Sequence, residues 1–170
     1  MSGPHWYAAY TKPRHERIVT VHLEHRGYEV VFPRYTANHR WTDRMKEVEQ
    51  PLFPGYVFVR CDSVHRLPVV QTPGLLHLVS DASGPLPVPD IEVENLRRAM
   101  ETGVPLLPVP YLKVGDSVSI TRGPLRGLTG ILQEIRSKQW VIVSIELLAR
   151  SVAVKVSPSW LAREALLAAS

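Results

Sequence analysis

Apolar residues form two different patterns in the first part of the chain. The apolar run at residues 6–10 predicts a short buried strand. Ile18, Val19 and Leu23 then recur at helical spacing, and Gly27 predicts where this helix ends. The pattern therefore begins with a strand that is followed by a helix.

Shorter apolar runs separated by turn residues continue this pattern up to residue 102. Asp90 begins a predicted helix whose first turn is acidic, which suits the helix dipole. The other predicted elements are strands at 28–32, 52–59 and 75–79, an exposed hairpin or loop at 34–50, and a helix within 63–72 that Pro68 interrupts. Helices and strands mixed in this order indicate an α+β domain.

The composition changes after residue 102. Residues 103–110 contain three prolines and predict a semi-rigid linker. Beyond the linker, β-branched runs predict a small all-β barrel with strands at 118–121, 131–135, 141–145 and 152–156, followed by a short helix within 158–167. The expected domains are 1–102 and 112–170, with the linker at 103–111.

Composition narrows the class of protein. The 170 residues are 45% hydrophobic, enough for real cores, and no apolar run approaches the ~20 residues of a membrane helix. The N-terminus lacks a basic patch followed by an apolar stretch, so we expect no secretory signal. Cys61 is the only cysteine, which excludes an intramolecular disulfide and fits a reducing, cytoplasmic location.

The charge of the chain is unevenly distributed around a net value of +4. Residues 1–60 carry nine Lys and Arg against six Asp and Glu, residues 61–110 carry three against six, and residues 111–170 carry eight against four. The basic ends favour an anionic partner such as nucleic acid, although ordinary solubilising charge explains the same distribution equally well.

The first of two distinctive segments is the aromatic run at residues 51–59. Pro54 removes a ladder donor, so a strand containing it belongs at a sheet edge or at a bulge, and Gly55 supplies the freedom that a bulge requires. A bulge would re-aim Phe53 and Tyr56 and display them rather than bury them. The alternative is an edge strand with ordinary core aromatics.

The second segment contains Gly123, Gly127 and Gly130, between two β-type runs. This spacing predicts a loop with positive φ values that leads into a tightly packed strand. It is not a phosphate-binding loop, because it lacks a Gly-Lys-Ser/Thr ending and a strand follows it rather than a helix. The alternative is a plain turn of the predicted barrel.

Together the two segments resemble the bacterial NusG family of transcription elongation factors, and especially specialised paralogues such as RfaH and the polysaccharide-operon antiterminators. Residues 6–7 are similar to the opening of the family's N-terminal (NGN) domain, and residues 53–56 match its most recognisable motif. Residues 118–135 match a KOW motif, with Gly130 at its central glycine, and Arg150 matches the strand pair that follows. The resemblance covers nearly the whole chain.

The resemblance implies a transcription factor that performs no covalent chemistry and needs no cofactor. Family members bind RNA polymerase by a hydrophobic patch of the NGN domain against the clamp helices of the largest catalytic subunit. RfaH-like proteins also use a His-Thr-Thr segment, of which only the histidine is matched here. The residues that correspond to these contacts are Trp6, Tyr7, Tyr10, Phe53, Pro54, Tyr56 and His65.

Specialised members of the family also bind the displaced, non-template DNA strand with basic side chains. Cations with an interleaved aromatic residue suit single-stranded DNA, although a solvated helix face and loop would have the same composition. The corresponding residues, on the predicted first helix and the 34–46 loop, are Lys12, Arg14, Arg17, His22, Arg40, Trp41, Arg44 and Lys46.

The KOW domain of the family recruits a small-subunit ribosomal protein or the termination factor Rho. Leu147, Leu148 and Arg150 fall at the family's contact loop, where the leucines are expected to form an apolar tip, with barrel core as the alternative. The expected protein is a monomer that does not bind membranes. Its expected role is operon-specific antitermination; the alternatives are a housekeeping elongation factor and a ribosome-associated RNA-binding protein.

Two catalytic or metal-binding arrangements are set aside. His22 and His25 lie three residues apart on a predicted helix, but no third strong ligand follows at metal-site spacing. Asp62, Ser63 and His65 include the residue types of a hydrolase triad without the Gly-x-Ser-x-Gly elbow. We therefore expect neither a metal nor an enzyme.

Overall fold

The computed structural model describes residues 3–40, 42–103, 106–109, 117–135, 138–156 and 161–163. The chain forms two compact units, Met1–Glu94 and Asn95–Ser170. The boundary lies inside a helix, whereas the sequence predicted the first domain to extend to residue 102. Helices and sheets are mixed along the chain, so the α+β prediction is confirmed.

The N-terminal unit is built on an antiparallel sheet in the order β2-β5-β1-β6, with β9 also paired to β1. Strands β3 and β4 form a separate hairpin, as do β7 and β8. The elements are β1 (His5–Thr11), α1 (Glu16–His25), β2 (Glu29–Val31), β3 (Arg34–Arg40), β4 (Met45–Pro51), β5 (Tyr56–Cys61), α2 (Leu67–Val70), β6 (Leu75–Leu78), β7 (Ser80–Asp81), β8 (Gly84–Pro85), β9 (Pro87–Val88) and α3 (Asp90–Glu101), the last of which crosses into the second unit.

One face of this sheet carries the main hydrophobic core. Tyr7 and Ala9 of β1 lie opposite Val59 and Val57 of β5, and side chains alternate between faces along a strand. Helix α1 contributes Val19 and Leu23 to the same cluster, and both are fully buried. Burial of one such side chain stabilises the fold by about 1.5–3 kcal/mol. The helical spacing in the sequence therefore corresponds to packing against β1 and β5.

The opposite face of the sheet carries a second set of aromatic residues. In the register of β1 with β5, Ala8 lies opposite Phe58 and Tyr10 lies opposite Tyr56. His77 of β6 lies opposite Tyr10 on its other side. Tyr56, Tyr10 and His77 therefore form a row across the neighbouring strands β5, β1 and β6, near one end of the sheet.

The predicted strand at 52–59 is wrong in its first half. Strand β5 begins at Tyr56 and lies between β2 and β1, so it is neither an edge strand nor bulged at Pro54. The Tyr56 N–H donates to the Phe53 carbonyl over 3.0 Å, and Gly55 has a φ of +86°. Proline followed by a glycine of positive φ forms a type II β-turn, so the proline restricts the turn rather than interrupting a ladder.

Other N-terminal predictions are refined by the structure. The 34–50 stretch is the β3–β4 hairpin, which confirms one of the two expected forms. Helix α1 begins at Glu16, because Arg14 has a φ of +62° and cannot continue a right-handed helix. Only Leu67–Val70 is helical within 63–72, and Pro68 lies in its first turn, where a missing N–H costs little.

The described part of the C-terminal unit is a six-stranded antiparallel sheet in the order β10-β14-β13-β12-β11-β15. The four strands predicted in this region are confirmed. Its elements are β10 (Leu106–Val109), β11 (Ser117–Ile120), β12 (Thr129–Ile135), β13 (Lys138–Ile145), a 3-10 turn (Glu146–Leu148), β14 (Arg150–Lys155) and β15 (Leu161–Arg163). The closure of these strands into a barrel stays a prediction.

Two C-terminal expectations differ from the structure. Leu106–Val109 of the predicted linker pairs with β14 as an outer strand, the position that tolerates Pro108. Leu161–Arg163 pairs with β11 as a strand, so the predicted terminal helix is wrong at these residues. The rest of that predicted helix lies outside the described residues.

Candidate functional site

Three rings form a cluster where β5 begins. The Tyr10 ring lies 5.2 Å from the Tyr56 ring and 5.3 Å from the His77 ring, measured between centroids, and both contacts are tilted. Tyr10 and Tyr56 are half-buried and His77 is exposed. Such aromatic pairs contribute about 0.5–1.5 kcal/mol beyond the area they bury. We call Tyr10, Tyr56 and His77 the aromatic cluster.

The turn before β5 is held against strand β1 and helix α1. The Thr11 N–H donates to the Gly55 carbonyl over 2.8 Å, and the Gly55 N–H donates to Glu16 Oε1 over 2.9 Å. A Cβ at Gly55 would lie 3.1 Å from Tyr10 Cε2. Gly55 therefore meets two requirements, a positive φ and close approach of the backbone to a tyrosine ring.

Several residues predicted to contact polymerase are core residues in this structure. Trp6 is 4% exposed, Tyr7 3% and Phe53 1%. Of the two alternatives for Phe53, display or a core position, the structure supports the core position, because Phe53 precedes a tight turn and packs edge-on against Phe58 with 5.9 Å between ring centroids. Pro54 and His65 are exposed. Among the matched residues, the accessible surface comes from the two half-buried tyrosines with Pro54 and His65.

A groove of about 630 Å³ lies beside the aromatic cluster. Charged, aromatic and proline side chains share its lining, and Tyr10 belongs to both the groove and the cluster. We call it the basic groove; it is lined by Tyr10, Thr11, Pro13, Arg14, Glu16, Arg17, Phe32, Arg34, Glu49, Gln50, Pro51, Pro54 and Gly55.

Glu49 connects two arginines across the basic groove. Its Oε2 accepts from Arg17 Nη2 over 2.8 Å and from Arg34 Nη1 over 3.2 Å. Arg17 belongs to α1, whereas Glu49 and Arg34 belong to the β3–β4 hairpin. The Arg34 guanidinium also lies 5.3 Å from the centre of the Phe32 ring, a cation–π distance. The carboxylate therefore ties the hairpin to the helix.

The predicted DNA-contacting residues separate into two groups. Arg14 and Arg17 line the basic groove, while Arg40, Arg44 and Lys46 are exposed around the far end of the hairpin. The structure corrects the placement of Arg14, which lies before α1 rather than on it. Lys12 and His22 are exposed, and Trp41 lies outside the described residues.

Sequence reasoning missed Arg34, Phe32 and Glu49 as members of this site. Arg34 was treated only as the start of a polar loop. Its pairing with Pro51 at the base of the hairpin brings Glu49 and Arg34 to the groove. This register is set by the fold of the hairpin: Glu49 lies two positions before Pro51, on the same face of β4.

Two acidic groups near the end of β5 have shifted pKa values. Burial raises the pKa of the Cys61 thiol from 9.0 to about 11, the Asp62 carboxylate adds to the rise, and Arg66 opposes it. Hydrogen bonds from the Val64 N–H and from His65 lower the pKa of the Asp62 carboxyl. Cys61 is thus a neutral core thiol, and it is not part of the lining of the basic groove.

The glycine-spaced segment is a closed loop between β11 and β12. Gly123 and Gly127 have φ values of +79° and +92°, as the spacing predicted, whereas Gly130 lies in β12 opposite Val118. The Gly127 N–H donates to the Ile120 carbonyl over 2.7 Å. The loop buries Leu125 and Leu128 completely. The positive φ values of Gly123 and Gly127 therefore allow a turn that buries these two leucines.

The predicted partner-binding tip lies between β13 and β14. Leu147 and Leu148 are half-buried in the 3-10 turn, so they form neither a fully exposed tip nor full core. Ala149 has a φ of +48°, and Arg150 is exposed at the start of β14. Their contact with a partner stays a prediction.

The described residues contain neither a metal-binding cluster nor a membrane-spanning helix. Within the described ranges, no group of three His, Cys, Asp or Glu side chains comes together in a way that could hold a metal ion. In the same ranges, no helix combines the length and the apolar character that crossing a membrane requires.

An α+β unit that presents an aromatic cluster beside a basic groove has the features of a binding protein. The sequence model of a family described as "Transcription termination factor nusG" matches residues 4–97, which is more than half of the chain. The chain therefore belongs to the NusG family, a family of transcription factors that is non-enzymatic as a class.

Individual relatives agree with this assignment. The chain is 28% identical over 181 residues to the transcription termination/antitermination protein NusG of Streptomyces griseus, covering 89% of this chain and 62% of the relative. The Deinococcus radiodurans protein of the same name is 29% identical over 188 residues, covering 93% and 98%. The chain thus spans about three fifths of the length of the Streptomyces relatives.

A solved structure described as "Domain interaction in Thermotoga maritima NusG" is similar in fold. Its TM-score with this chain is 0.54 at 27% sequence identity, and the alignment covers 93% of this chain and 96% of that chain. The similarity therefore extends over both units.

Proposed function

We propose that this protein binds RNA polymerase and acts as a transcription elongation and antitermination factor. The observation that carries the proposal is the surface of Tyr10, Pro54 and Tyr56, which lies within the matched region 4–97. Half-buried tyrosines are suitable interface anchors, because they add large apolar area with little loss of side-chain entropy. The proposed target is the clamp-helix region of the largest polymerase subunit.

Polymerase pull-down with variants of the aromatic cluster tests this proposal. Tyr56→Ala should reduce the affinity for core polymerase about tenfold or more, as expected for an interface hot spot. Tyr28→Ala is the matched control, since Tyr28 is a half-buried tyrosine that packs against the helix-side core. If both variants bind like the unmodified protein, the polymerase proposal fails for this surface.

We further propose that the exposed basic residues contact single-stranded DNA displaced during transcription. The support is the position of Arg14 and Arg17 in the basic groove and of Arg40 and Arg44 on the hairpin. Binding of this kind weakens linearly in log affinity with log salt, because cations released from phosphates re-enter solution. Titration of a single-stranded oligonucleotide at several salt concentrations would contradict the proposal if no salt-dependent binding is found.

The narrower role proposed is operon-specific antitermination, with a KOW barrel that recruits a small-subunit ribosomal protein or Rho through Leu147, Leu148 and Arg150. The similarity of the sequence at residues 51–54 to RfaH-like proteins and the basic Lys12 favour this role. A housekeeping role agrees equally well with the similarity to relatives named NusG. Addition of the protein should increase transcription through the upstream leader of its own gene more than transcription through an unrelated leader. An equal response on both templates would favour the housekeeping alternative.

A further inference from the structure

We propose that Arg17 and Arg34 form a phosphodiester-binding site in the basic groove. The Glu49 carboxylate occupies this site in the free protein and competes with the phosphate for it. A single-stranded nucleic acid would replace the Glu49 carboxylate with a backbone phosphate. The inference rests on the nucleic-acid part of the proposed function, and it adds a specific site and a specific internal regulator.

The first observation is the shared carboxylate. Glu49 Oε2 accepts from Arg17 at 2.8 Å and from Arg34 at 3.2 Å, so one anionic oxygen lies between two guanidinium groups. A phosphate oxygen bridging two arginines would have the same geometry. The three side chains are accessible, with Arg17 64%, Arg34 38% and Glu49 54% exposed. An external anion can therefore reach the position that Glu49 occupies.

The second observation is the charge of the lining. Three arginines and two glutamates line the groove, but Glu16 is buried and accepts the Gly55 N–H, so it is committed to the fold. Glu49 is the remaining carboxylate of the lining. Arg14 stands exposed at the groove and forms no ion pair among the described residues. Displacement of Glu49 would leave three cations facing one anionic ligand.

The third observation is an unused donor. Arg34 Nε is buried and has no hydrogen-bond partner within the described part of the chain. A buried donor without an acceptor is costly and is uncommon in folded proteins. The stacking of Arg34 on Phe32 holds the guanidinium in place, so an incoming phosphate meets an oriented fork rather than a mobile side chain.

The strength of the internal contact makes displacement feasible. Exposed ion pairs contribute little individually, so the two pairs of Glu49 oppose an external ligand by roughly threefold to tenfold in affinity. A strand that makes several phosphate contacts can overcome such a barrier, particularly at low salt. Glu49 would thus prevent the binding of weak, isolated anions but would be displaced by a polyanion.

The experiment compares Glu49→Gln with Glu47→Gln, using fluorescence anisotropy of a labelled single-stranded oligonucleotide of about twelve nucleotides. Glu47 is an exposed carboxylate on the same strand, so both variants change the net charge equally. Glu49→Gln should bind about threefold to tenfold tighter than the unmodified protein, whereas Glu47→Gln should stay within about twofold. The salt slope of Glu49→Gln should steepen by about 0.7 for each added phosphate contact.

A second variant keeps the test independent of hairpin folding. Arg34→Gln placed in the Glu49→Gln background should return the affinity to the unmodified value or below, while circular dichroism shows that the hairpin variants remain folded. Equal affinities of Glu49→Gln and Glu47→Gln would overturn the inference. If the unmodified protein still binds the oligonucleotide with a salt slope, the nucleic-acid proposal survives that result.

Two further probes identify the chemistry of the ligand. Inorganic tripolyphosphate and polyglutamate of comparable charge are titrated against the same variants. A gain for the oligonucleotide alone supports the inference. An equal gain for polyglutamate would indicate an acidic protein partner and would overturn it. If no variant binds the oligonucleotide, both the inference and the DNA proposal fail, and polymerase pull-down of the same samples shows whether the polymerase proposal stands.

Discussion

The Gly55 N–H donates to the carboxylate of Glu16 over 2.9 Å, so the turn before β5 is fastened to the first residue of helix α1. Glu16 is buried, although it lies in the first turn of an otherwise amphipathic surface helix. It is the acidic residue of the first turn, and its carboxylate accepts the Gly55 N–H. One side chain therefore connects the helix, the turn and the aromatic cluster.

Glu16→Ala should destabilise the protein by about 1–3 kcal/mol, because the Gly55 N–H would lose its buried acceptor. Glu16→Gln retains an acceptor oxygen and should cost less. Glu24→Ala provides the control, since Glu24 is an exposed carboxylate on the same helix and should change stability by less than about 0.5 kcal/mol. Urea denaturation measures all three variants, and equal losses for Glu16→Ala and Glu24→Ala would contradict the role of this contact.

Gly55→Ala should destabilise more than Gly27→Ala. Both glycines have nearly the same positive φ, +86° and +85°, so both variants suffer the same backbone strain of about 1 kcal/mol or more. A Cβ at Gly27 meets no heavy atom within 4 Å, whereas one at Gly55 lies 3.1 Å from Tyr10 Cε2. The difference between the two free energies of unfolding isolates the cost of moving Tyr10. A smaller loss for Gly55→Ala would show that the ring moves freely.

Phe53→Ala should destabilise the fold by about 3–5 kcal/mol, because it leaves a cavity beside Phe58. This is a large fraction of the total stability of a typical domain, about 5–15 kcal/mol. Loss of polymerase binding in this variant would therefore reflect unfolding as much as a lost contact. Thermal denaturation should show a much lower midpoint for Phe53→Ala than for Tyr56→Ala, and similar midpoints would place Phe53 outside the core.

Cys61 should make the fold less stable in alkali. The folded-state pKa of about 11 lies above the ordinary value of 9.0, so the neutral thiol is favoured in the folded protein. This contribution is fully present below pH 9 and is lost as the pH rises through the folded pKa, at up to about 1.4 kcal/mol per pH unit. Guanidinium denaturation at several pH values should show a shallower alkaline decline for Cys61→Ala. Identical slopes for the two proteins would argue against a buried thiol.

The sequence was sufficient to predict most elements of the fold. A continuous apolar run identified β1, helical spacing of apolar residues identified α1, and β-branched runs identified the four central strands of the C-terminal sheet. The prediction failed at residues 52–55, where an apolar run continued past a Pro-Gly pair. Local patterning could not distinguish a bulged strand from a type II turn, since both accept proline and glycine.

The candidate site was only partly predictable. Motif resemblance identified Tyr10, Pro54 and Tyr56, and basic composition identified Arg14 and Arg17. It could not reveal Glu49, which lies 32 residues from Arg17 in sequence and meets it only because the hairpin folds beside α1. Long-range ion pairs leave no periodic signal, so sequence reasoning counted these charges without pairing them.

The sequence by itself determined the α+β character of the chain, the family motif at residues 53–56 and the positive φ of Gly123 and Gly127, because each depends on residues close together in the chain. Only the tertiary structure decided that Phe53 is buried while Tyr56 remains accessible. The turn at Pro54-Gly55 separates these two aromatics, and strand β5 lies between β2 and β1. Exposure depends on which distant strands cover a residue, and that information is absent from the local pattern.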